Sequence, residues 1–130
     1  MLKKLILVVL FIFPITALSQ PNTYKQAAQS WLTLVDTQDF KKSWDASGTF
    51  FRSNISKTDW VAAISNARNS VGQFQSRQLL IEKPMSSLPN APDGDYMVLQ
   101  YQSTFAKSHS VETITLSDDN GWRVVGYFIK

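Results

Sequence analysis

In this 130-residue sequence, the side chain best placed to do chemistry is one carboxylate. Glu112 sits in Val111-Glu112-Thr113-Ile114-Thr115-Leu116, a stretch that otherwise alternates between apolar and small polar residues. A period of two predicts a strand. If the turns at 107–108 and 120–121 are both even in length, one sheet face collects Met97, Leu99, Tyr101, Ser103, Phe105, Glu112, Ile114, Leu116, Arg123, Val125, Tyr127 and Ile129. The other face takes Val98, Gln100, Gln102, Thr104, Thr113, Thr115, Trp122, Val124, Gly126 and Phe128. The first face is the more apolar, so the rest of the chain should cover it, and Glu112 should point inward. A charged, unpaired carboxylate there would be strongly destabilising. Pairing of the first two strands with Arg77 opposite Ser103 would put Arg77, Ser103 and Glu112 in one row across three strands, with Tyr101 and Tyr127 on the same face. These five form the candidate polar cluster. Four readings fit Glu112: a structural ion pair, a glutamate at the open rim of the sheet, a ligand-binding carboxylate, or a general base with Arg77 or Tyr127 stabilising developing charge.

Other candidates offer less. His109 is the only histidine and there is no cysteine, so a zinc site has too few ligands; His109 is expected to be exposed in a turn. Asp93-Gly94-Asp95 and Asp118-Asp119-Asn120 read as turn formers, because neither has the spacing of a calcium loop. Asp36 and Asp39 fall at a helix break, where capping accounts for them. Nucleophile-elbow, phosphate-loop and dinucleotide fingerprints are absent. No cofactor is implied. The four tryptophans are spaced as core residues.

The elements that must position the cluster follow from period and caps. Tyr24, Ala27, Ala28, Trp31, Leu32 and Val35 lie on one face of an amphipathic helix capped by Asn22 or Thr23. Residues 36–39 interrupt it, and residues 40–47 resume with Phe40 and Trp44 four apart, ending at Gly48. Residues 49–56 are a short strand or an extended crossing. Ser56 and Asp59 mark a further helix start. That helix carries Trp60, Ile64, Ala67 and Val71 and closes at Gly72. Four strands follow at 74–83, 96–106, 110–117 and 121–130. Pro84 stops the first, and Asn120-Gly121 signals a hairpin between the last two.

The N-terminus sets the compartment. Lys3 and Lys4 precede an apolar run of about a dozen residues, too short for the ~20 that span a bilayer. Small residues follow at Ala17 and Ser19. This is the pattern of a secretory signal peptide, residues 1–19, cleaved before Gln20 and leaving no stable membrane span. The whole chain carries 13 Lys and Arg against 10 Asp and Glu, net +3. Removing Lys3 and Lys4 leaves 11 against 10, net +1, which gives no electrostatic reason to expect nucleic acid. A mature chain of residues 20–130 suits a single domain without disulfides, in the periplasm or secreted.

Several motifs carry a family resemblance: Trp31-x-x-x-Val35-Asp36 with Trp44 after it, the spacing Arg68…Gly72…Arg77, and Val111-Glu112-Thr113 followed by Trp122-Arg123-Val124 and Gly126-Tyr127-Phe128-Ile129. Over about Ala27 to Lys130 the chain resembles the bacterial "domain of unknown function" family 4019, departing at Ser70-Val71. That resemblance implies a small exported protein and assigns no catalytic residues. The expected fold is α+β, with N-terminal helices on one face of a curved four-stranded antiparallel sheet. The order resembles cystatin-like or NTF2-like cones, which host enzymes and binding modules alike. The expected role is a non-catalytic periplasmic binding or accessory module for a small apolar ligand or an envelope protein. The alternative is a small-molecule enzyme, isomerase- or hydrolase-like, using Glu112.

Overall fold

The computed structural model describes residue 12 and residues 23–130. The signal segment, Ile12 apart, lies outside the described residues. Four helices precede four strands: α1 (Tyr24–Asp36), α2 (Phe40–Ala46), α3 (Thr49–Asn54), α4 (Lys57–Val71), then β1 (Phe74–Met85), β2 (Tyr96–Phe105), β3 (Ser108–Asp118) and β4 (Trp122–Ile129). The sheet is antiparallel in the order β1-β2-β3-β4. This is the expected α+β arrangement, but the sheet is not strongly curled.

Thr23 caps α1 by accepting from the Gln26 amide at 3.1 Å, and Ala27, Ala28, Trp31, Leu32 and Val35 are buried along it. The helix stops in a Schellman turn: the Gln38 amide donates to the Val35 carbonyl and the Asp39 amide to the Leu34 carbonyl. Gln38 holds the left-handed conformation, φ +64°, that such turns usually give to glycine.

Segment 49–54 is helical, neither strand nor extended crossing. It spans six residues, too few for its period to show in sequence. Phe51 anchors it edge-on to Trp60, with ring centroids 4.9 Å apart. Gly48 leads into it by donating to the Val124 carbonyl at 2.7 Å. A Cβ on Gly48 would lie 2.8 Å from Val125 Cγ1, so the close approach of α3 to β4 needs glycine there.

The strands correct the expected register in four places. β1 runs through Pro84 to Met85, since an edge strand can accept a residue with no amide donor. The β2–β3 turn is Ala106-Lys107 rather than 107–108, which shifts the pairing by two residues and keeps every side chain on its face. That turn is docked, because the Ala106 and Lys107 amides donate to the Gln73 and Val71 carbonyls. The β3–β4 loop is odd, residues 119–121, with Asp118 opposite Trp122. The odd loop flips the start of β4, so Val124 opposes Leu116 on the covered face and Arg123 is exposed. A bulge between Val124 and Gly126 then flips the strand back, and Tyr127 and Ile129 return to the face of Ile114 and Glu112. The parity argument therefore holds for Tyr127 and Ile129 and fails for Trp122, Arg123 and Val124, while Val125, in the bulge, is buried beside Gly48. The expected turn residue His109 belongs to β3, where it is exposed.

The core lies between helices and sheet, where Trp31, Leu32, Val35, Phe51, Trp60, Ile64, Leu99, Ile114, Leu116 and Val124 pack together. Trp44 and Trp122 pack against its edge.

Candidate functional site

At one end of this core six side chains from six elements converge. Glu112, on β3, is fully buried. Its Oε1 accepts from Arg77 Nη2 (2.7 Å), Arg77 Nε (3.0 Å) and Ser103 Oγ (2.5 Å). Its Oε2 accepts from Tyr127 Oη (2.5 Å) and, more weakly, Arg68 Nη2 (3.3 Å). All five partners are donors, which suits an ionised, acceptor-only carboxylate.

Arg77 reaches further. Its Nη1 and Nη2 fork onto Asp36 Oδ2 and Oδ1 at 2.7 and 2.9 Å, a bidentate pair. Arg68 Nη2 also donates to Asp36 Oδ1 at 2.7 Å. Two guanidinium and two carboxylate groups thus balance charge inside a low-dielectric site. Side-chain exposure is 0% for Glu112, 6% for Arg68, 10% for Asp36 and 13% for Arg77. Burial alone would lower the pKa of Arg77. The hydrogen bonds and charge of Asp36, together with the charge of Glu112, outweigh burial and hold it above the ordinary arginine value. Burial, and then the charge of Glu112, raise Tyr127 well above the ordinary phenol value, so its hydroxyl stays a donor. Tyr101 is raised too, chiefly by burial.

Of the five side chains expected from sequence, Arg77, Ser103, Glu112 and Tyr127 meet. Tyr101 stands beside them without a hydrogen bond, its ring centroid 5.9 Å from Arg77 Cζ. Arg77 does oppose Ser103, but Ser103 opposes Ser110 and Glu112 opposes Tyr101. The single row is therefore incorrect: Glu112 is a diagonal neighbour of Ser103, and long side chains close the gap.

Sequence reasoning missed Asp36 and Arg68. Asp36 is no cap; it closes the cluster from the last turn of α1. Asp39 stands at the N-cap of α2, makes no side-chain cap bond, and reaches Lys42 Nζ at 3.6 Å. Arg68 lies four residues beyond Ile64 and eight beyond Trp60, on the buried stripe of α4. That spacing was its signal, obscured because an arginine on an apolar stripe reads as a helix edge.

A neutral cluster fills the other end of the core. Trp31 Nε1 donates to the Ser43 carbonyl (2.9 Å) and Ser47 Oγ (3.0 Å), and Trp60 Nε1 to Ser43 Oγ (2.9 Å). The Tyr127 ring lies 5.3 Å from that of Trp31 and joins the two clusters.

Among the depressions on the surface of the described residues, three are the best formed. One, about 830 Å3, lies between α3 and the loops around Asp93–Asp95 and Asp118–Asn120. Another, about 500 Å3, runs between α1 and the start of β4. The third, about 520 Å3, is walled by the ends of α1 and α4 and includes Asp36 and Arg68. Glu112, Arg77, Ser103 and Tyr127 line none of the three. Among the described residues no three His, Asp or Glu side chains gather as a metal-ligand set, and no helix is long and apolar enough to cross a membrane.

Every charged member of the cluster, and Tyr127 with them, falls within one of the motifs that carried the family resemblance. No curated protein matches the chain. A family model described as a protein of unknown function, DUF4019, matches residues 27–127, well over half of the sequence. The chain belongs to the DUF4019 family.

Proposed function

We propose that this protein is an exported, non-catalytic binding or accessory module whose buried charge cluster is structural. One observation carries this reading: Glu112 is wholly enclosed, bonded to five donor groups, and on the wall of none of the three depressions. A general base must reach its substrate's proton directly or through one water, and an enzymatic role for Glu112 would need an opening to it. Charge balance, with every carboxylate oxygen of Glu112 and Asp36 hydrogen-bonded, is what a structural cluster requires.

The N-terminal pattern of Lys3, Lys4, the apolar run and Ala17-x-Ser19 supports export to the periplasm or beyond. Helices followed by an antiparallel sheet support kinship with cystatin-like or NTF2-like folds, which belongs to the same reading. The helix–sheet interior is filled by Trp31, Trp60, Phe51 and Tyr127 packed ring against ring. A small ligand or an envelope protein would therefore engage the surface depressions. Native mass spectrometry of the protein released from its own periplasm tests this reading. The expected result is a mature species beginning at Gln20 with a retained ligand or partner. A species that keeps Met1, or one that is bare under every gentle condition, overturns it.

A further inference from the structure

We infer that the open face of the sheet is a self-association surface, on which a second copy of this chain docks face to face about a two-fold axis parallel to the strands. Past the signal segment, the large apolar side chains left exposed among the described residues are Leu80 (54%), Ile81 (47%) and Phe128 (61%). They are not scattered. The pairings Ile81–Gln100, Gln100–Thr113 and Thr113–Phe128 put Ile81 and Phe128 at the two ends of one row across all four strands, with Leu80 in the bulge beside Ile81. Leu99 and Ile114, next to this row along β2 and β3, belong to the core under the helices, so the row itself faces away from them. None of its four residues lines a depression.

The row is its own complement. A two-fold axis lying between two facing sheets and parallel to their strands sets β1 over the partner's β4 and β2 over the partner's β3, and keeps each row over itself. Ile81 then meets the partner's Phe128, twice by symmetry, and Gln100 meets the partner's Thr113. Within the chain Gln100 Nε2 already donates weakly to Thr113 Oγ1, at 3.4 Å, so the axis repeats a pairing of types that the sheet itself makes. The flanking rows agree. Lys83 faces the partner's Gly126, which has no side chain to obstruct it, and Lys130 faces the partner's Gln78. No like charges oppose each other in these rows, and Val98, Gln102, Val111 and Thr115 between them carry none. A charge-poor centre with charged residues at the rim is the composition of a protein interface.

Size and edges point the same way. Four strands ~4.8 Å apart, the shortest about 27 Å long, offer a flat area on the order of 500 Å2. Two such faces bury about 1,000 Å2 in all, the lower end of what a specific interface needs, which sets a dimer of micromolar strength. Association through the sheet edges is disfavoured. Pro84 and the bulge at Leu80 block strand addition at β1, and on β4 Gly48 already takes the Val124 carbonyl.

The test is sedimentation velocity of the mature chain, residues 20–130, over a concentration series, with far-UV circular dichroism to confirm that each variant folds. The parent should show a monomer–dimer equilibrium with Kd of about 1–50 μM. Ile81→Glu and Phe128→Lys, both at exposed positions, should each weaken the dimer by about tenfold or more, because each sets a charge against an apolar side chain twice per dimer. The combined variant Ile81→Glu/Phe128→Lys should recover most of that loss. The axis sets the new carboxylate of one protomer against the new ammonium of its partner, whereas within one chain the two positions are three strand spacings, about 14 Å, apart. Ile81→Lys/Phe128→Lys, with like charges, should not recover. Lys57→Gln, at a lysine paired with Asp45 on the helical side, should change nothing. A monomer at every concentration, a dimer indifferent to the single variants, or a dimer that the opposite-charge pair fails to restore would each overturn the assignment.

Discussion

The two polar clusters inside this protein solve the same problem in opposite ways. The tryptophan–serine cluster is neutral and local: its bonds join residues 12 to 17 positions apart, all within α1, α2, α4 and the segment after α2. The charge cluster is ionic and its ion pairs are distant, joining residues 32 to 44 positions apart among α1, α4, β1 and β3, while Ser103 and Tyr127 reach Glu112 from 9 and 15 positions away. A hydroxyl can rotate to a new partner when one is lost, and a carbonyl has a second lone pair. A buried charge has no such alternative, because its desolvation is offset only by the opposite charge. The neutral cluster should therefore tolerate damage, and the ionic one should fail abruptly.

The largest effect should follow from unbalancing the ionic cluster. Glu112→Gln and Arg77→Met should each destabilise by about 3–5 kcal/mol, the range for breaking a buried pair from one side. The double variant should lose clearly less than the sum, because Arg68 and Asp36 remain as a balanced pair. Urea midpoints of the four proteins provide the check; simple additivity would show that the charges do not act as a unit. Trp31→Phe should be milder, about 2 kcal/mol, from one lost indole donor and a small cavity. A loss as large as that of Glu112→Gln would erase the distinction between the clusters.

Tyr127 touches both clusters, and pH can separate its contributions. Its pKa and that of Tyr101 are raised in the folded protein, first by burial. Below about pH 10, the ordinary phenol value, both states keep the proton and stability does not depend on these groups. Above it the unfolded chain loses protons that the folded chain retains, so stability falls as pH rises. The slope is about 1.4 kcal/mol per pH unit for each tyrosine. Tyr127→Phe should be less stable than the parent at neutral pH through loss of the bond to Glu112. That gap should narrow by about 1.4 kcal/mol per unit above pH 10. A gap constant with pH, measured by urea unfolding between pH 9 and 11.5, would place the Tyr127 hydroxyl in water.

How much was legible in sequence follows the same division. The apolar stripes of α1 and α4, the Ser56 cap and the strand alternation repeat at short range, and residues one to four apart reveal them. The inward Glu112 and its bond to Arg77 followed from alternation plus one guess at register. Asp36 and Arg68 did not follow, because a charge at a helix end has an adequate local explanation and only tertiary contact reveals a better one. The paired irregularities of β4 were illegible for another reason. An odd loop at 119–121 and a bulge near Val125 each reverse the strand, and together they restore Tyr127 to the face where simple counting had put it.

The smallest predicted effect lies at the joint between the clusters. Gln38 follows the last turn of α1, which carries Asp36, and precedes α2, which carries Ser43. Its φ of +64° is costly for a residue with a Cβ, and glycine at this position of a Schellman turn avoids that strain. Glycine also loses more entropy on folding, so the two effects partly oppose. Gln38→Gly should therefore stabilise by only about 0.5–1 kcal/mol. Because the turn feeds both clusters, the gain should be the same in the Trp31→Phe background. In the Glu112→Gln background, where Asp36 no longer faces a balanced partner set, the gain should differ by more than the ~0.5 kcal/mol expected of independent sites. Equal gains in all backgrounds would mean that the end of α1 is held by its own turn and that Asp36 follows it passively. A larger gain with Glu112→Gln would mean that the charge cluster, when intact, holds the turn in place.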